Sequence, residues 1–192
     1  MSGNRSKLDY ALAASLALTR VAVARGDKVT VLAFSDRIER RVRVRSARGG
    51  INKVYSELFD LETRLVEPVY DLAAEQLLSL GLPRSTVVLF SSVIDLAAAE
   101  LLRDSLLKLG RRHRTLFMNL EDPVIESMVN SEPRDAAEAF AKLSSLDIVL
   151  ENRGLAHRLR RGGVRTASAS ADQLALETLE TYLDLLGGRV AA

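Results

Sequence analysis

Cysteine and tryptophan are both absent from the chain, and histidine occurs only twice, at His113 and His157. The lack of cysteine excludes a disulfide framework, a thiolate metal site and a cysteine nucleophile. The scarcity of histidine excludes a His-rich metal site and leaves any imidazole base to two residues far apart in sequence. No apolar stretch reaches about 18 residues without an intervening charge, so no membrane span is expected. The opening residues, Met1 to Lys7, contain no apolar core of a signal peptide. Cytoplasmic location is therefore the expectation. Neither sign of charge dominates: 27 basic residues stand against 25 acidic ones, a net charge of +2. A pI near 9.1 is weak support for nucleic-acid binding at such a balance.

What remains is a chain rich in small and branched apolar residues. Of its 192 residues 47% are hydrophobic and only 5% aromatic, so the apolar mass is mostly Ala, Leu and Val. That suits helices packed closely on a sheet, and the length fits one domain over 1–192 with a full core. Residues 7–25 read as a helix, apolar almost all round and therefore largely buried, with Gly26 closing it. KVTVLAFS (28–35) is a continuous apolar run of the kind found in strands covered on both faces. Residues 37–45 alternate, Ile38, Val42 and Val44 against Arg37, Glu39, Arg41, Arg43 and Arg45, as an edge strand hairpinned to its predecessor and guarded by charge. Helices are expected after Gly49-Gly50 over 51–62 and over 69–81. A buried-type strand follows at 85–92, then a helix from an Asp95 N-cap to about Leu109, and a strand at 113–120. Short helices come near 122–130 and 134–152, with more helix to 161. A weaker strand at 164–170 and a last helix at 171–186 complete the order. Strands alternating with helices predict a mostly parallel sheet with helices on both faces.

Several fragments taken together carry a family resemblance: SKLDYALAASLAL (6–18), RGDKVTVLAFSD (25–36), STVVLFSSVID (85–95), RRHRTLFMNLEDP (111–123), RRGGVRT (160–166) and LETYLDLL (179–186). Their order and spacing resemble the bacterial von Willebrand factor A-like proteins of domain-of-unknown-function family fifty-eight. The resemblance implies a three-layer, Rossmann-like α/β fold of about five strands with one antiparallel edge strand. It also implies a role beside MoxR-type AAA ATPases in complex assembly. Such domains usually hold Mg²⁺ through oxygen ligands: a D-x-S-x-S motif after the first strand, a loop Thr, and an Asp after a later strand. Here Ser91-Ser92 stand where Thr-Asp is usual, and Tyr70 stands at the loop Thr. The first strand and its motif are missing, with Met1 to Ser6 at the place of the motif's end. The resemblance thus implies a chain that is N-terminally truncated relative to the family. Mg²⁺ is expected only if the missing motif lies upstream in the native protein, and otherwise no cofactor. The gap in the sheet is expected to close by direct pairing of 28–34 with 86–90, or to be filled by another chain in a homodimer.

Arg25-Gly26-Asp27 matches an integrin-recognition tripeptide but reads as a helix end. Arg111, Arg112, His113 and Arg114, with Arg41, Arg43, Arg45 and Arg48, could bind nucleic acid, yet no aromatic residues interleave with them. Gly49-Gly50 could cradle phosphate, but no complete phosphate-loop motif is present. Ser91 and Ser92 fall at the carboxyl end of a parallel strand, where ligands bind in open α/β sheets. They lack a nucleophile elbow and a base, and read as a remnant metal site or a metal-independent contact surface. Asp36 suits a turn, Asp95 an N-cap, and Glu121 and Asp122 a surface loop. The expectation is a protein-binding scaffold module, not an enzyme, with Ser91, Ser92, Tyr70, Asp36 and Asp95 as degenerate metal-site positions or partner contacts. A hydrolase or phosphotransferase site at the carboxyl end of the sheet is the alternative, and nucleic-acid binding through the basic patches is the third reading.

Overall fold

A computed structural model describes residues 5–45, 47–92 and 96–187. Asp95, the first four residues and the tail beyond 187 lie outside the described residues. The chain forms two compact units, one of residues 1–77 with 172–192 and one of residues 78–171.

The first unit holds helix α1 (Lys7–Ala24), strands β1 (Val29–Phe34) and β2 (Ile38–Val44), helix α2 (Ala47–Leu58), all but the last two residues of helix α3 (Tyr70–Ser79), and the final helix α7 (Leu174–Gly187). Ser6 caps α1 in a reciprocal box with Asp9, which satisfies two free N–H groups of the first turn. At the other end Gly26 takes φ 89°. Its N–H reaches Val23 O, and Asp27 N–H reaches Ala22 O, both at 3.0 Å. This is the paired closure that a left-handed residue makes possible, so Arg25-Gly26-Asp27 is a helix end. Only Ala14, Thr19, Ala22 and Val23 of α1 are fully buried, fewer than its composition suggested.

β1 and β2 form an antiparallel hairpin in which Ala33 faces Arg40 but Phe34 faces Ile38. Glu39 is the extra residue of a bulge. Val42 and Val44 form a core with Val23, Val54 and Leu58, with Leu12, Leu16, Val29, Val31 and Leu61 packed around it. α2 starts at Ala47, so Gly49-Gly50 lie inside the helix instead of preceding it. The reason is packing: a Cβ on Gly50 would collide with the Val44 side chain. That glycine lets the helix approach the strand.

The second unit holds β3 (Thr86–Ser91), α4 (Leu96–Gly110), β4 (Arg114–Leu120), α5 (Pro123–Asn130), α6 (Ala136–Arg161) and β5 (Arg165–Ala169). Its three strands are parallel, in the order β3-β4-β5. α4 packs on β4, α6 on β5, and the two helices on each other. Successive right-handed crossovers stepping the same way across a sheet place their helices on one face. The two helical segments expected at 134–152 and up to 161 are one 26-residue helix, capped by Asp135 and ended at Gly162.

The fold is thus an open Rossmann-like α/β arrangement: a parallel three-stranded sheet flanked by helices, plus a two-stranded antiparallel sheet. The five expected strands are all present, but in two sheets. β1 pairs with β2 alone, and no ladder between 28–34 and 86–90 forms among the described residues. The strands of one sheet are joined by a tight hairpin and those of the other by helical crossovers.

Candidate functional site at the turn between the first two strands

The bulge at Glu39 organises a polar cluster at the carboxyl end of β1. A bulge re-aims the side chain of its extra residue. Here Glu39 turns back toward the hairpin turn, where Ser35 donates to Glu39 Oε1 at 2.7 Å and lies 2.9 Å from Asp36 Oδ1. Arg64, from the segment after α2, reaches Asp36 at 2.7 Å and Glu39 at 3.0 Å. Arg37 adds a contact to Glu39 at 3.2 Å. The Ser35 hydroxyl and the Arg64 guanidinium, in that order, hold the Glu39 carboxyl down at about 2. Asp36 is lowered as well, chiefly by the Ser35 hydroxyl; burial opposes this, and the Arg64 charge, a smaller effect than burial, adds to the lowering. The Arg64 guanidinium is correspondingly raised by Glu39 and Asp36. The two carboxylates are neutralised by the chain itself.

The segment that delivers Arg64 is fastened at both ends. Arg40 shares the α2 side of the hairpin with Val42, two residues on, and meets Asp60 at 3.2 Å. Val69 N–H donates to Ser35 O at 2.9 Å. Between these points Leu65, Val66 and Val69 are exposed. On α2, Tyr55 and Phe59 stack with ring centroids 6.2 Å apart and are 60% and 70% exposed. Their outward position follows from helical spacing, because Val54 and Leu58 take the inward face.

The positions singled out in the sequence divide between the units. Asp36 and Tyr70 both belong to the first: Tyr70 is buried, its ring set edge-on to Phe34 at 6.0 Å and 71°, and it follows Val69, which bonds Ser35. Ser91 and Ser92 belong to the second unit, where both are half-buried at the end of β3. Asp95 lies outside the described residues. Ser91 pairs with Asn119 across the sheet, whereas Arg114 pairs with Thr86. His113 therefore sits at the opposite end of the strands from Ser91, about 20 Å away along six residues. Its Nδ1 accepts the Ser85 N–H at 3.3 Å. Asp122 caps α5 by accepting from Val124 N–H at 2.9 Å, and Glu121 continues β4 by donating its N–H to Ala169 O. Arg41, Arg43 and Arg45 are exposed on the hairpin, while Arg111 and Arg112 are exposed in the second unit.

Sequence reading missed Arg64 and Glu39. In sequence Glu39 is one of several edge charges, and only the bulge distinguishes it. Arg64 meets partners 25 and 28 residues away, and no local pattern marks it.

No curated protein and no solved structure matches the chain. The family model described as Protein of unknown function DUF58 matches residues 1–134, that is 134 of 192 residues. With well over half of its length matched in this way, the chain belongs to the DUF58 family.

Proposed function

We propose that the chain is a protein–protein interaction module without catalytic activity of its own, and that it docks through residues 55–69 of the first unit. The observation that carries this reading is the concentration of exposed apolar side chains there. Tyr55 and Phe59 stand at the end of α2, and Leu65, Val66 and Val69 on the segment after it, which Arg40 and Arg64 clamp. Apolar side chains gathered in one exposed place mark contact surfaces. Aromatic anchors rimmed by charge are the usual hot spots. The clamp keeps the segment from being reordered on binding, which preserves affinity.

The partner class we favour is a MoxR-type AAA ATPase, on the strength of the von Willebrand A-like resemblance. The interaction would not require Mg²⁺. The donor set does not fit that ion: Arg64 occupies the place between Asp36 and Glu39 that a cation would take, and Tyr70 is a packed core residue. A purified MoxR-type ATPase from the same source, titrated by interferometry, tests this. Phe59→Ala and Leu65→Ser should each weaken binding about tenfold, with unchanged circular dichroism and no response to EDTA. Equal binding by both variants would remove this surface, and no binding by the parent chain would remove the partner class.

A further inference from the structure

At the carboxyl end of the parallel sheet, Ser91, Asn119 and Ser168 stand side by side, one on each strand. Paired residues of a parallel ladder share a face. That face carries the helices: Thr115, four residues back on β4, lies beside Gly110 of α4, and Thr166 on β5 accepts from Arg160 Nε at 2.8 Å. Asn119 is only 8% exposed, and its Oδ1 has no hydrogen-bond partner among the described residues. Ser168, at the open end of the row, is exposed. A buried carboxamide oxygen without a donor is uncommon in native proteins and calls for a physical explanation.

We propose that the Ser91–Asn119–Ser168 row is a binding site for an uncharged amide group, of the kind presented by a peptide main chain. The row is formally neutral, and the two residues that follow β4 are the carboxylates Glu121 and Asp122, which disfavours an anion. The ring nearest Asn119 on that face of β4, Phe117, is buried and offers no platform for stacking a sugar. An amide supplies an N–H for Asn119 Oδ1 and a carbonyl for its Nδ2 or a serine hydroxyl. Half a turn of the Asn119 carboxamide exchanges its oxygen and nitrogen, and an amide ligand answers either orientation. This site is independent of the docking segment at 55–69, and its failure would leave that reading untouched.

The test is a ¹H–¹⁵N NMR titration of the full chain with N-methylacetamide, with ethylene glycol and acetate in parallel. Saturable shifts are expected at the Asn119 side-chain NH₂ and at the Ser91 and Ser168 amides with N-methylacetamide alone. Asn119→Leu should abolish them while keeping peak dispersion and raising the thermal midpoint. If Asn119→Leu does not fold, Ser168→Val, an exposed change, should weaken the same shifts. Shifts that do not saturate, that are matched by ethylene glycol or acetate, or that persist in the variants would overturn the proposal.

Discussion

Tyr182 on α7 donates its phenolic hydrogen to Asp27 Oδ2 at 3.2 Å, across 155 residues of chain. The bond ties the last helix to the turn between α1 and β1. Burial first, then the Asp27 charge, pushes the Tyr182 phenol up to about 12. Because the folded value lies above the ordinary value of 10, this contribution is complete below pH 10 and is lost as pH rises toward 12. Tyr182→Phe should lower stability by about 1 kcal/mol and remove that alkaline dependence. Urea unfolding at pH 8 and at pH 10.5 reads both effects.

His113 works in the opposite direction. Its ring is buried and accepts the Ser85 N–H. Desolvation, and then the Arg112 charge, lower its pKa from the ordinary 6.5. Below pH 6.5 the unfolded chain takes up a proton that the folded chain resists, so stability falls as the solution is acidified. Protonation of Nδ1 would also cost the Ser85 bond. His113→Asn should flatten the pH dependence of the urea midpoint between pH 7 and 5. An unchanged slope would show that other groups set it.

Arg64 should matter more to one segment than to the whole fold. All its partners are at the surface, where ion pairs add little to global stability. Arg64→Ala should speed amide exchange and proteolytic nicking across 61–69 while the thermal midpoint hardly moves. Glu39→Gln should do the same more weakly, since Asp36 remains. The contact should survive acid well: the Glu39 contribution is complete above the ordinary value of 4.5 and is lost only as pH falls toward 2.

Two glycines are required for different reasons, and substitution separates them. Gly26 has φ 89° with nothing within 4 Å of a would-be Cβ, so Gly26→Ala should cost about 1–2 kcal/mol through backbone strain, and Gly26→Asn should cost less. Gly162 has φ −82°, but its Cβ would strike the Leu107 side chain and lie 3.3 Å from Leu159 O. Gly162→Ala should cost about 1–3 kcal/mol by overpacking. Leu107→Ala should recover part of that loss, whereas it should not help Gly26→Ala. Urea denaturation of the single and double variants measures the coupling.

The strands were readable because β1, β3 and β4 are continuous apolar runs and β2 alternates. The Gly26 and Gly162-Gly163 helix ends were readable for the same reason of local chemistry. Gly49-Gly50 misled because glycine ordinarily ends or precedes a helix, while the need for it here comes from Val44, six residues away and on another element. The single long α6 reads as divided at 152 because Asn152 and Gly154, both poor helix formers, stand there, yet the helix runs through them to Arg161. Of the candidate site, Asp36 and Tyr70 were found, but Arg64, Glu39 and Asn119 were not. Their roles depend on a bulge, a long-range ion pair and a register across three strands, none of which leaves a local trace.

The division of the chain gives its synthesis a particular order. Residues 78–171 form a continuous unit set within a discontinuous one. As the chain leaves the ribosome, α1 must wait for α7, its packing partner, while the inner unit can close as soon as β5 emerges. The outer unit is therefore completed last. A ribosome stalled before residue 172 would carry a finished inner unit and an α1 packed on α2 but still without α7.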